Sequence, residues 1–275
     1  MTNDCTLEER LIARMAREFD GESIGVGATI LGDLAARLAK ALYAPDLFLT
    51  TASRAAADPD VHAKSLSDEW VLCATARMSL DWEQMFQLIA QGRLQIWVGA
   101  VQIDQYGASN ISVVGDWNRP TVQLIGARGV PDDLWGCEHI CYHLRTQTRR
   151  SLVAAVDFEC AFGNRGERTR VGRKAARPGL VVTDLGVYDF NTRDGRMQIV
   201  SLHPGVDFNT AQERCGFELE RPSSGEILVT PDPTEAELRC IREIIDPRGL
   251  RRLESRQASE AMTLELWRED LPKSV

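Results

Sequence analysis

No stretch of this chain holds the roughly 18 consecutive apolar residues that a membrane-spanning helix requires. Positive charge is not in excess either. Asp and Glu outnumber Lys and Arg 40 to 32, for a net charge of −8. A broad basic surface for nucleic acid or an anionic membrane is therefore not expected. The opening residues carry no secretory apolar region, so a cytoplasmic protein is expected. The seven cysteines are scattered and odd in number, which argues against a disulfide framework and for reduced thiols. Histidine is sparse, with four in all, and there is no G-x-S-x-G elbow. A serine-hydrolase triad is accordingly not expected.

What is present reads as a globular α/β chain. Its 275 residues, 44% hydrophobic and 26% charged, suffice for a sizeable core. Thr6-Leu7-Glu8-Glu9 is a capping-box pattern, followed by Leu11, Ile12, Met15 and Phe19 on one helical stripe. Residues 22–27 read as a strand, and Ile30, Leu31, Leu34, Leu38 and Leu42 as a helix that Pro45 stops. A strand over 47–51 follows, then a less regular unit with a strand at 70–74 and a helix at 80–91. Leu94 to Val101 is apolar and β-branched enough for a core strand. Strands alternating with helices predict an open, largely parallel sheet flanked by helices. The middle is richer in β, with strands expected at 111–114, 122–125, 152–158 and 180–183. Strands 188–190 and 197–202 flank the hairpin signal Asp194-Gly195. From Asp207 the pattern turns mostly helical, with Leu238, Ile241 and Ile245 on one stripe and a polar tail over 256–275. No repeat or low-complexity linker divides the chain, so one domain over 1–275 is expected.

Four features invite chemistry, and each has a plainer reading. Gly25-Val26-Gly27 lies at a strand-to-helix turn, but Ile30 stands where a dinucleotide fingerprint needs its third glycine. Those glycines also serve wherever backbone must approach a ligand or a neighbouring strand closely. Cys137-Glu138-His139-Ile140-Cys141-Tyr142-His143 resembles a metal cluster. In an extended strand these side chains point one way yet stand too far apart to close on one zinc, so no metal is expected. Nine basic residues lie between Arg145 and Arg177 against three acidic ones. They form either a solvated hairpin or a dock for a partner chain or for phosphates. His203, before Pro204-Gly205, serves as a turn residue as readily as a base.

Several segments, in order over residues 22–210, resemble the B subunit of class I CoA transferases of the glutaconate-transferase type. They are Ala44-Pro45-Asp46-Leu47, Gly99-Ala100-Val101-Gln102-Ile103-Asp104 with Tyr106-Gly107 and Asn110, Val182-Thr183-Asp184-Leu185, and Leu202-His203-Pro204-Gly205-Val206. In that family the strand after Ala-Pro-Asp-Leu ends in a glutamate that attacks the acyl-CoA. Here the corresponding residues are Thr51-Ala52-Ser53-Arg54, and the methyl group of Ala52 cannot act as a nucleophile. A second departure is Ile125-Gly126-Ala127-Arg128-Gly129-Val130, where transferases carry a Pro-Gly-Ser-Gly-Gly-like turn.

Both departures are similar to those of the IpdAB-type ring-opening hydrolases of bacterial steroid catabolism. That resemblance implies hydrolytic carbon–carbon cleavage of a cyclic β-keto acyl-CoA. It implies an A-type CoA-transferase-like partner in an α2β2 heterotetramer, with a glutamate base on the partner. No cofactor is implied, since coenzyme A is part of the substrate. This chain would supply oxyanion stabilisation from the Gly99 and Ala100 N–H groups, with Thr51, Ala52, Ser53, Gln102, Asp104 and Arg128 around the substrate. For Gln102, Asp104 and Asn110 the plainer reading is satisfaction of a glycine-containing turn; for Arg128 it is a surface-facing arginine. Two other readings stand beside this one. One is a transferase using Ser53, for which no activating base is visible; the other is a non-catalytic ligand sensor on the same fold.

Overall fold

Thr6 opens the first helix through the predicted box. Its hydroxyl accepts from Glu9 N–H at 3.3 Å, and the Glu9 carboxylate accepts from Thr6 N–H at 3.0 Å. The computed structural model describes residues 5–50, 56–62, 74–127, 129–164, 169–170, 173–174, 176–255 and 260–270. They fall in two compact units, one within 1–86 and 232–275, the other within 87–231.

In the first unit, α1 (Leu7–Ala16) precedes β1 (Ile24–Gly27), α2 (Ile30–Leu42) and β2 (Phe48–Thr50), the two strands parallel with Val26 beside Thr50. β3 (Ala56–Ala57) and β4 (Met78–Ser79) continue antiparallel. Leu11, Ile12 and Met15 of α1 and Leu31, Leu34 and Leu38 of α2 are fully buried, as their spacing predicts. Gly27 has a structural reason: a Cβ there would lie 2.1 Å from Asp33 Cα in the first turn of α2. What approaches this glycine is the following helix. The strand expected at 70–74 lies outside the described residues apart from Ala74.

After α3 (Trp82–Ala90), the second unit is built on β5 (Leu94–Gly99), β10 (Cys137–Leu144) and β14 (Arg177–Thr183), all parallel. Between β5 and β10 come β6 (Gln102–Asp104), β7 (Ser109–Asn110), the hairpin β8 (Val113–Asp116) and β9 (Arg119–Gln123), and α4 (Val130–Gly136). β11 (Leu152–Val153) pairs with β6, and β12 (Thr169–Arg170) with β13 (Arg173–Lys174) forms a hairpin inside the basic run. β15 (Gly186–Asp189) and β16 (Gln198–Leu202) add an antiparallel meander beside β14. Gly195 has φ +75°, but Asp194-Gly195 is not the two-residue turn it signals: the last paired residues are Asp189 and Gln198, and the loop runs from Phe190 to Met197. The sheet is mixed and largely parallel, the α/β class expected.

Two expectations need correction. Residues 122–125 are not a core strand: β9 ends at Gln123, and Val122 and Ile125 are solvent-exposed. β-branched composition marks a strand but not its burial. Only Leu152 and Val153 of 152–158 are strand, because the chain bends away and commits Asp157 to side-chain hydrogen bonds.

α5 (Phe208–Glu213) and β17 (Leu228–Val229) complete the second unit. The chain then returns to the first with α6 (Glu235–Arg239), a π-helical turn (Cys240–Ile245), a 3-10 turn (Leu250–Glu254) and α7 (Glu260–Asp270). Leu238, Ile241 and Ile245 are buried as one stripe. Two buried carboxylates fasten this return to the N-terminal helices. Glu9 accepts from Arg242 at 2.8 Å and Arg251 at 3.0 Å, and Glu237 accepts from Arg17 at 2.8 Å and from the Tyr43 hydroxyl. Burial alone would raise the Glu9 pKa, but the Arg242 bond, the Thr6 N–H and Arg251 outweigh it and lower the net value. Its stabilisation is then present above the ordinary carboxylate range, about 4.3, and is lost as pH falls through the lowered folded value. Glu9→Gln should cost about 2 kcal/mol at neutral pH, less than a fully buried pair because Arg242 is partly solvated. Thermal unfolding from pH 7 to 3 should show the wild type losing stability more steeply than Glu9→Gln below about pH 4. Parallel curves would remove Glu9 from this role.

Candidate active site

Ligands of open α/β sheets sit beyond the C-terminal ends of the parallel strands. In the second unit those ends are level. Gly99 of β5 stands beside His143 of β10, which stands beside Val182 of β14. Trp97, Tyr142, Val181 and Tyr188 fill the core below. Gly99 and Ala100 are half-buried as the chain leaves β5, so their backbone borders the space above the strand ends.

Beyond Ala100 the chain forms a laced polar loop. Val101 N–H donates to Asn110 O at 3.0 Å, and β6 pairs with β7 through Gln102 and Asn110. Asn110 is fully buried; its amide donates to Gln102 Oε1 at 2.7 Å and Val113 O at 2.6 Å, while its oxygen accepts from Ser112 N–H at 2.9 Å. The Gln102 amide donates to Asp157 Oδ2 at 3.0 Å, and Gln102 Oε1 accepts from Asp157 N–H at 3.1 Å. Asp157 Oδ2 also accepts from Gly115 N–H at 2.9 Å, tying the β8–β9 hairpin to the same loop. Asp104 Oδ1 accepts from Tyr106 N–H at 2.8 Å and Ala108 N–H at 3.0 Å. The turn it holds needs Gly107, whose φ is +83° and where a Cβ would lie 2.3 Å from Pro178 Cβ. Asp104 Oδ1 and Asp157 Oδ2 thus brace the loop that follows Ala100, Asp104 buried and Asp157 at the surface.

The structure brings together Gly99, Ala100, Gln102, Asp104 and Asn110. Thr51, Ala52, Ser53 and Arg128 lie outside the described residues. Asp157 is the residue sequence reasoning missed. It lies 55 positions from Gln102, and no local pattern marks it.

The other singled-out features have structural places. β10 carries Cys137 and His143 buried, Cys141 half-buried and His139 exposed, with two register shifts that spoil a common direction. His203 is buried at the end of β16, its Nε2 2.8 Å from Thr183 O, so it donates there and ties β16 to β14. The Gln147 side chain draws this end together. Its oxygen accepts from Thr183 Oγ1 at 2.9 Å and from the Tyr188 hydroxyl at 2.8 Å. Burial above all pushes the Tyr188 hydroxyl well above its ordinary pKa.

Residues 9–212 match the family model described as coenzyme A transferase. The chain is 33% identical over 242 residues to the cholesterol ring-cleaving hydrolase IpdB subunit of Mycobacterium tuberculosis, covering 86% of this chain and 92% of that one. Its structure is similar to the crystal structure of Rhodococcus jostii RHA1 IpdAB, with a TM-score of 0.79 at 30% identity over 92% of this chain and 99% of that chain. Glutaconate coenzyme A-transferase from Acidaminococcus fermentans shares the fold, with a TM-score of 0.79 at 24% identity over 89% and 96%. The segments quoted from sequence fall within the matched span, and the Gly99-to-Asn110 loop is built as one unit around its buried amides. The chain belongs to the coenzyme A transferase family, as a B-type subunit closely related to IpdB.

Proposed function

We infer that this chain is the B-type subunit of a two-chain hydrolase that opens the last steroid-derived ring of a cyclic β-keto acyl-CoA. The observation that carries the reading is its 33% identity to an IpdB subunit over 86% of the chain, together with Ala52 in place of the transferase glutamate. Water adds to the ring carbonyl β to the thioester, with its proton passing to a base. The carbon–carbon bond then breaks, and its electron pair enters the thioester as an enolate, which is protonated at carbon. The product is a single open-chain acyl-CoA that carries the new carboxylate, with no electrons gained or lost.

Backbone N–H groups at Gly99 and Ala100 stabilise the charge that gathers on oxygen, an effect of about 3 kcal/mol per donor in such sites. Gln102 and Asp104 keep that segment in place through Asn110, Asp157 and the Gly107 turn. The family resemblance adds Thr51, Ala52, Ser53 and Arg128 as candidates for substrate contact, Arg128 for a substrate carboxylate. The base is a glutamate of an A-type partner in an α2β2 assembly, and no cofactor is required.

The test is turnover of a bicyclic, steroid-derived β-keto acyl-CoA by the purified pair in oxygen-18 water. Label in the new carboxylate supports hydrolysis. Transfer of CoA to an added acid with the ring intact would overturn it. Because Ala52 has no nucleophilic atom, no acyl-enzyme should form on this chain. Hydroxylamine or borohydride trapping during turnover should leave the peptide Ala44–Arg54 unmodified by mass spectrometry. An adduct on Ser53 would restore the transferase reading.

A further inference from the structure

The hydroxyl of Thr50, in the first unit, is buried without a hydrogen-bond partner. The residue is 4% exposed, and its Oγ1 meets neither donor nor acceptor among the described residues. Its cross-strand neighbours explain this. Thr50 stands between Val26 of β1 and Ala57 of β3, whose side chains share its face and offer no polar atom. Valine has the same branched shape and suits a buried strand as well. An unpaired buried hydroxyl lowers stability, so shape alone does not account for threonine here.

The place is one where ligands bind. Thr50 ends β2, which runs parallel to β1, and open α/β sheets take their ligands beyond the C-terminal ends of such strands. The frame around it is fixed at a further cost. Asp58, directly after Ala57, has φ +52°, the one left-handed backbone among the described non-glycine residues. Its N–H donates to Leu49 O at 2.7 Å, and its buried carboxylate is held by Lys40 at 2.8 Å and Arg77 at 2.9 Å. Lys40 also donates to Leu47 O at 2.7 Å. The end of α2 and the strands β2 and β3 are thereby locked around one unsatisfied hydroxyl.

We propose that the Thr50 hydroxyl donates a hydrogen bond to an oxygen of the bound β-keto acyl-CoA that gains charge as the ring opens; this rests on the substrate reading above. With no base in hydrogen-bond reach, the hydroxyl keeps its proton and acts as a donor, not as a nucleophile. A buried, prepositioned donor gains most from an oxygen that becomes negative, and its bond strengthens from the keto form to the enolate.

The test uses this chain assembled with the A-type chain of its own organism, and acetoacetyl-CoA, a β-keto thioester with no ring to open. Loss of a proton from between its two carbonyls to solvent gives an enolate, which absorbs in the near ultraviolet. The wild-type complex should raise the ratio of enolate to keto form above that in buffer at the same pH. Thr50→Val should cut this enrichment at least about tenfold, and Thr50→Ser, which keeps the hydroxyl, should retain most of it. Without ligand, Thr50→Val should raise the Tm of the complex by about 2 °C, because it removes an unpaired polar group. Equal enrichment in Thr50→Val and wild type, or none in the wild type, would overturn the proposal. So would a Tm lowered by Thr50→Val, which would mean that the hydroxyl already has a partner within the protein. A complex that enriches the enolate through Thr50 yet leaves a ring substrate closed sinks the hydrolase reading and keeps the contact. Ring opening by Thr50→Val at the wild-type rate does the reverse.

Discussion

Purified without a partner, this chain should turn over a β-keto acyl-CoA at least about a thousandfold more slowly than the assembled pair, because general-base catalysis alone contributes about 10²–10⁴. Around Gly99 and Ala100 the described side chains are amides and carboxylates that brace one loop. Asn110 and Gln102 bond each other, Asp104 holds its own turn, and Asp157 joins Gln102 to Gly115. On the proposed division of labour such a site orients and stabilises, and the proton of water goes to the partner's base. Mixing the purified chains should restore activity in proportion to the complex formed on size-exclusion chromatography. Full activity from a preparation of the lone chain, free of the partner by mass spectrometry, would place the base here and reverse the division of labour.

The parts of this molecule that were legible in its sequence are those whose causes are local. Thr6 and Glu9 lie within one turn, so their reciprocal cap could be read directly, and Ile30 to Leu42 declared a helix by spacing. β5 could be recognised because six consecutive strand residues are mostly apolar. That Ala52 stands where transferases carry their glutamate is read from the family resemblance alone. What escaped depends on distant partners. Residues 152–158 carry a strand-like composition, yet Asp157 finds Gln102 and Gly115, and those bonds bend the chain out of the ladder. Residues 122–125 look like a core strand because apolar alternation says which residues share a face and nothing about what covers it. Glu9 likewise meets Arg242 across 233 positions, a pairing no window of the sequence reveals.

Arg128→Ala should lower kcat/KM of the assembled enzyme at least tenfold, about 1.4 kcal/mol of transition-state binding. Arg128 itself lies outside the described residues, but both sides of it are fixed. Gly126, with φ +92°, donates to Ile111 O, and Gly129 opens α4 by accepting from Asp133 N–H at 3.0 Å. Gly126 is thereby laced through Ile111 and Asn110 to the segment that follows Ala100. A transferase-like small-residue turn would place no charge at position 128. The substrate implied by the family resemblance keeps a free carboxylate on a side arm of its ring, which a guanidinium grips with two parallel hydrogen bonds. Arg128→Lys keeps the charge and loses the fork, so it should fall between wild type and Arg128→Ala, with KM rising in both. Assembly and thermal stability should not change, which separates substrate binding from a structural role. A substrate analogue without the side-arm carboxylate should be turned over equally by wild type and Arg128→Ala. If the variant instead processes the intact substrate at the wild-type rate, the carboxylate is held by another group.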